Sequence, residues 1–205
     1  MRKIEIVIAT NNQDKVKEFK EIFNEEEFIV TSLKEEGIIS NPEETGTTFK
    51  ENALIKAKDV ARITNKIVIS DDSGICIRAL DNFPGIYSSR FMEGHPYSEK
   101  CDKIREMIKD KDDKSCAYYC VMALVNFDEE DHVFEGVCEG KVVEPIYTEN
   151  GFGYDPMFFI VEKGKRFSEM SASEKHEISH RGKASRLLVD YIERHKQEYK
   201  DKKIV

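Results

Sequence analysis

Apolar residues recur along this chain with two spacings in turn, and their order predicts strands alternating with helices. Ile4 to Ala9 is a short apolar run rich in β-branched residues, closed by Thr10-Asn11-Asn12, and reads as a buried strand. Val16, Phe19, Ile22 and Phe23 follow at helical spacing and predict an amphipathic helix starting near Asp14. Residues 28–31 read as a weak second strand, and 34–44 as polar loop. A longer helix then carries Phe49, Ala53, Ala57, Val60 and Ala61 along one face. Thr47 or Thr48 can cap it, and Glu51 stands at the capping-box offset from Thr48. The next buried strand, 67–70, ends on the turn-like run Asp71-Asp72-Ser73-Gly74.

The second half begins with a helix over 98–109 whose inward residues are Cys101, Ile104, Met107 and Ile108. Two long strand-like stretches, 115–127 and 132–143, flank the charged run Asp128-Glu129-Glu130-Asp131 and predict an antiparallel hairpin. A glycine-rich loop at 151–153 leads to a strand at 157–161. The last helix carries Ala184, Leu187, Leu188, Tyr191 and Ile192 at 3.6-residue spacing. No linker, repeat or low-complexity segment divides residues 1–205. The expectation is one α/β domain with a mixed sheet and two lobes.

Composition narrows the field of partners. Hydrophobic residues make up 40% and charged residues 35%, as in a soluble globular protein, and no apolar run approaches a membrane span. The opening Met1-Arg2-Lys3-Ile4-Glu5 shows no signal peptide, so a cytoplasmic location is expected. A net charge of −8 argues against nucleic acid as the main partner, yet leaves room for a small anion met by local lysines and a divalent ion. The cysteines, Cys76, Cys101, Cys116, Cys120 and Cys138, form no CxxC pair and read as buried thiols.

Four segments could carry chemistry. Thr10-Asn11-Asn12-Gln13-Asp14-Lys15 joins a strand to a helix N-terminus, where backbone amides and the helix dipole favour an anion. It lacks the glycines and Lys-Ser/Thr pair of a Walker A loop, and a plain turn with Asp14 as N-cap fits it as well. Asp71-Asp72-Ser73-Gly74 supplies carboxylates suited to Mg²⁺, which usually takes one or two of them together with waters and phosphates, and Glu43-Glu44-Thr45-Gly46 offers another. Alone, the first of these is a common solvated turn composition. Gly151-Phe152-Gly153-Tyr154-Asp155-Pro156 can present an aromatic face for stacking on a base, or form a hairpin turn with core aromatics. His176-Glu177-Ile178-Ser179-His180 matches the zinc signature HExxH. Its flanks, Ser171-Ala172-Ser173 and Arg181-Gly182, argue against the continuous helix that zinc needs, and the segment reads instead as donors, Lys175, His180, Arg181 and Lys183, facing an anionic or carbonyl-rich ligand.

In order, these segments together with Phe49-x-Glu51-Asn52-Ala53, Pro84-Gly85-Ile86-Tyr87-Ser88 and Ser179-His180-Arg181-Gly182 closely resemble the Ham1/RdgB family of inosine-triphosphate (non-canonical purine NTP) pyrophosphatases. The match extends over nearly the whole chain. Asn11 and Ser89 depart from the family's frequent glycine and alanine at those positions. The resemblance implies an elongated α/β fold with helices flanking a mixed sheet, two lobes with a nucleotide-binding cleft between them, and a homodimer. It implies Mg²⁺-dependent release of pyrophosphate from ITP, dITP and XTP. Thr10 to Lys15 would then cradle the triphosphate, chiefly through Asn12 and Lys15, with Lys56 as a second cation. Glu44 and Asp72 would hold Mg²⁺, with Asp72 also the general base, and Ser73 would touch substrate. Phe152, Gly153, Tyr154 and Asp155 would form the base loop, with Lys175, His180 and Arg181 reading the purine and its sugar-phosphate. The competing readings are a zinc hydrolase using His176, Glu177 and His180, and a nucleotide-binding protein without turnover.

Overall fold

The computed structural model describes residues 3–202; Met1 and Arg2 of the opening segment, and residues 203–205, lie outside the described residues. The elements in chain order are β1 (Ile4–Ile8), α1 (Gln13–Ile22), β2 (Phe28–Ser32), α2 (Leu33–Glu36), α3 (Phe49–Ala61), β3 (Ile67–Ile77) and β4 (Phe83–Pro84). There follow α4 (Tyr97–Met107), β5 (Ser115–Val125), β6 (His132–Val142), β7 (Phe158–Ile160), β8 (Lys165–Arg166), α5 (Ala172–Ile178) and α6 (His180–Lys202). The strands hydrogen-bond in the order β2-β1-β3-β5-β6-β7-β8, with β4 on β3. β1 runs parallel to β2 and β3, while β3–β4, β6–β7 and β7–β8 are antiparallel, so the sheet is mixed. The short 126–131 connection can join neighbours β5 and β6 only in the antiparallel sense, as the hairpin pattern predicts.

The chain resolves into two compact units. The first holds residues up to 72, 121–135 and those from 184 onward. Its core gathers Val7, Leu33, Ala53, Ala57, Val60, Val68, Val121, Ala123 and Val125, so the small-residue stripe of α3 shares a core with Val68 of β3 and with alternate residues of β5. The second holds 73–120 and 136–183, around Ile75, Ile77, Ile104, Tyr118, Tyr154, Phe158 and Phe167. All five cysteines are buried, as core packing requires.

Several expectations need correction. Residues 33–36 form a capped helical turn rather than loop: Ser32 accepts from Glu35 N and Glu35 closes the box on Ser32. Thr48 caps α3, but Glu51 accepts from Thr47 N at 2.6 Å, one residue before its expected partner. β3 does not stop at Ser70 but continues through Asp71-Asp72-Ser73-Gly74 to Ile77. Gly74 lets it continue, because a Cβ there would collide with the carbonyl oxygen of Gly85. Residues 155–157 and 161–163 form 3-10 turns, leaving only Phe158–Ile160 as strand. Met107 and Leu187, placed on inward stripes by spacing, are 39% and 51% exposed. The first lies at the very end of α4, where the stripe runs out.

Candidate active site

In the first unit, the Thr10–Lys15 turn is organised by its own side chains. Asn12, not Asp14, caps α1: its Oδ1 accepts from the amides of Asp14 (3.0 Å) and Lys15 (3.4 Å). Thr10 Oγ1 accepts from Asn12 N at 3.2 Å, and Asn11 Nδ2 donates to Ser40 O at 3.1 Å. Asn12, Gln13 and Asp14 are exposed, at the positive end of the α1 dipole. Lys15 does not point into solvent. Its ammonium lies 3.0 Å from Asp71 Oδ2, whose side chain is fully buried.

Asp72, next on β3, faces α3. Lys56 Nζ sits 3.2 Å from Asp72 Oδ1 and 3.0 Å from Glu44 Oε1, so one ammonium joins both carboxylates that the sequence marks as metal ligands. The Glu44 loop is fixed beside α3 by Asn52, a fully buried residue whose Oδ1 accepts from Gly46 N at 2.9 Å. Burial, against the attraction of Lys56, pushes the Asp72 carboxyl up to about 6. Burial alone would lower the Lys56 pKa, but Asp72, Asp71 and Glu44 outweigh it and the net direction is up.

These residues fit a hard divalent ion. Asp72 Oδ2 is buried without a hydrogen-bond partner among the described residues, a costly state for a carboxylate oxygen that an ion or a water would relieve. Among the described residues no group of three or more His, Cys, Asp or Glu is gathered to hold a metal. Two carboxylates would therefore need phosphate oxygens and waters to complete the shell, the usual pattern for Mg²⁺.

In the second unit, Gly151 and Gly153 take φ of +75° and +65°, which lets the chain turn on either side of Phe152. Asp155 Oδ2 ties the loop by accepting from Phe152 N (2.9 Å) and Lys175 Nζ (2.6 Å). Lys175 Nζ stands 4.6 Å from the Phe152 ring centre and Arg181 Cζ 5.6 Å. Tyr154 is buried and donates to Ser88 O at 2.7 Å. Tyr154 and Asp155 thus build the loop, while Phe152, half-buried, keeps a partly open ring. His180 is buried, its ring stacked on Tyr118 at 4.5 Å and 8°. Arg181, also buried, donates to Ser73 Oγ at 3.4 Å. Lys183 turns away, donating to Val137 O at 2.8 Å.

The zinc reading fails on geometry. α5 ends at Ile178, Ser179 is extended (φ −69°, ψ 157°), and His180 begins α6, so the two histidines are not on one continuous helix. The break falls at Ser179 rather than at Gly182, which lies inside the first turn of α6. Gly182 serves close packing: a Cβ there would collide with the His176 carbonyl oxygen.

Asp71, Asn52 and Ser88 stand within the segments singled out in the sequence but without the roles seen here, as partner of Lys15, anchor of the Glu44 loop and acceptor for Tyr154; Tyr118, beneath His180, lies outside those segments.

Known proteins share this chain's sequence pattern and fold. The Ham1 family model matches residues 6–191. A Bacillus cereus protein named dITP/XTP pyrophosphatase is 43% identical over 195 residues, covering 92% of this chain and 94% of its own. Its namesake from Bacillus subtilis is 41% identical, covering 92% and 97%. The solved structure of the Staphylococcus aureus Ham1 protein is similar with a TM-score of 0.85 at 39% identity, over 92% of this chain and 98% of that one. With the family's segments met along nearly the whole chain and the fold shared, this chain belongs to the Ham1 family.

Proposed function

We propose that this chain hydrolyses non-canonical purine nucleoside triphosphates (dITP, XTP and ITP) to the monophosphate and pyrophosphate, with Mg²⁺ as the ion. The observation that carries the reading is Asp72: a buried carboxylate with one oxygen on Lys56, the other without a hydrogen-bond partner among the described residues, and a pKa of about 6 set first by burial. The relatives' name, dITP/XTP pyrophosphatase, supplies the substrate class.

A purine triphosphate gives each group an occupant. Residues 10–15, with Lys15 and Lys56, suit the polyphosphate, and Phe152 suits the base. Glu44 and Asp72 would hold Mg²⁺, which when bound neutralises phosphate charge and polarises the phosphorus–oxygen bonds. Asp72 takes the proton of the water that attacks the α-phosphorus; the bond from that phosphorus to the bridging oxygen breaks, and its electrons leave with pyrophosphate. Phe152 stacks on the purine, and Lys175, His180 and Arg181, with Ser73 beside Arg181, supply donors matched to a 6-keto base and the sugar-phosphate. An adenine amino group would leave such donors unpaired, a mismatch worth about 10⁴-fold or more at a buried site. Two carboxylates at a polyphosphate speak for turnover over simple binding. Residues 1–205 acting as one catalytic domain, in a cytoplasmic homodimer with small-molecule substrates and no nucleic acid, belong to the same reading. They rest on the resemblance and the charge of −8.

A panel of nucleoside triphosphates, with Mg²⁺ present and pyrophosphate and phosphate detected separately, tests it. ITP, dITP and XTP should yield monophosphate and pyrophosphate, with ATP far slower. IDP and orthophosphate as primary products would sink the mechanism.

A further inference from the structure

We propose that Lys56 is a placeholder cation: it holds Glu44 and Asp72 together in the metal-free protein, and a divalent ion takes its place between them, releasing the ammonium to the substrate's phosphates. The inference rests on the metal-site reading above and adds an exchange to it. Three facts carry it. The ammonium bridges the two carboxylates, at 3.0 and 3.2 Å, which is where an ion shared by both would have to sit. Its side chain is only 18% exposed, so it is committed to that position rather than swinging in solvent. The carboxylates also lie in a like-charged neighbourhood: Glu44 and Asp72 share the Lys56 ammonium, and Asp71, next to Asp72 on β3, engages Lys15 at 3.0 Å.

An ammonium and a hydrated divalent ion compete for the same oxygen lone pairs, and both cannot lie between two carboxylates at contact distance. While no ion is bound, Lys56 offsets the repulsion that would otherwise drive the Glu44 loop from β3. Asn52 holds that loop through the Gly46 amide, so the backbone stays set while the cations trade places. Once displaced, Lys56 carries its charge to the polyphosphate delivered with the ion. The lysine that helps bind substrate is thereby coupled to metal loading.

The exchange predicts opposite effects of one substitution on two measurements. Lys56→Met keeps an unbranched chain and removes the competing cation. Without nucleotide, Mn²⁺ binding followed by calorimetry or electron paramagnetic resonance should tighten by roughly threefold to tenfold, since the ion no longer has to expel an ammonium. In chelator the same variant should melt below wild type, and Mn²⁺ should raise its melting temperature by more than it raises that of wild type. Turnover of ITP should nevertheless fall, because the phosphate cation is gone. Lys56→Gln serves as a second variant should the apolar one fail to fold, with the same expected directions. Glu44→Gln separates the failures. If Glu44→Gln loses Mn²⁺ binding while Lys56→Met and Lys56→Gln bind as wild type or more weakly, the metal site stands and the placeholder idea is overturned. If Glu44→Gln binds as wild type, the metal-site reading falls and the exchange falls with it; if neither wild type nor the Lys56 variants bind Mn²⁺ without nucleotide, the exchange is overturned.

Discussion

Asp72→Asn should make the enzyme slower and the metal-free protein more stable, and the size of the second effect follows from the structure. The Asp72 carboxyl is buried and its pKa stands at about 6 in place of the ordinary 3.8. Between those values the folded protein binds more protons at this site than the unfolded chain does, so stability falls as pH rises from about 4 to about 6. At about 1.4 kcal/mol per pH unit, the interval amounts to about 3 kcal/mol lost once the carboxylate is fully ionised. An asparagine is neutral throughout and escapes that loss. Denaturant unfolding in chelator at pH 4 should therefore find variant and wild type nearly alike. At pH 7.5 the variant should be ahead by an amount on the order of 3 kcal/mol. Turnover of ITP with saturating Mg²⁺ should drop by about 10²-fold or more, from loss of the base and of one charge on the ion. A variant that keeps near-normal turnover would remove Asp72 as the base. A stability difference that does not change between pH 4 and 7.5 would show that burial at this position carries no electrostatic cost.

Three further outcomes are expected. Below pH 6 the apparent affinity for Mg²⁺ should fall about tenfold per pH unit as Asp72 protonates, with one proton released per ion bound, measured by calorimetry in buffers of differing ionisation enthalpy. Glu177→Gln should hydrolyse ITP within a few-fold of wild type and the purified protein should carry no stoichiometric zinc, whereas His180→Ala and Arg181→Ala should raise KM and relax base selectivity; a dead Glu177→Gln with one tightly bound zinc per chain would contradict this. Gly182→Ala should cost on the order of 1–3 kcal/mol and several degrees in Tm, since its methyl group would collide with the His176 carbonyl and crowd Ser179 Oγ; an unchanged melting curve would refute that packing.

Sequence periodicity served well where a local rule and the tertiary fold agreed. The apolar faces of α1 and α3 follow from spacing, because each buries one side against a core, and the β5–β6 hairpin follows from two strand-like stretches about the charged run 128–131. It failed at β3. Asp71-Asp72-Ser73-Gly74 has the composition of a turn, and nothing local reveals that Lys15 and Lys56 meet its carboxylates or that Gly85 packs against Gly74. A run that would be solvated in isolation is held as strand by partners far along the chain. The α1 cap was missed for a related reason: Asn12 and Asp14 are both good capping residues, and only geometry shows which oxygen reaches the amides. At the base loop the residue types were legible but their division of labour was not, since Asp155 and Tyr154 turn inward and leave Phe152 as the partly open ring.

The passage of β3 straight through its acidic pair sets a limit on how this protein can change. Along the strand, Val68 packs with α3, Ser70 donates to the Ala53 carbonyl and Asp72 reaches Lys56, while Asp71 turns the other way to Lys15. Parity alone decides which carboxylate meets which lysine. Deleting or inserting one residue between Ile67 and Asp71 would hand the α3 face to the wrong aspartate and reverse both ion pairs at once, although no charge had been lost. Loops elsewhere can lengthen or shorten over evolutionary time, but this stretch can change only by replacement in place. In a mutational scan it should stand out as the segment where single-residue indels abolish activity even in variants that still fold.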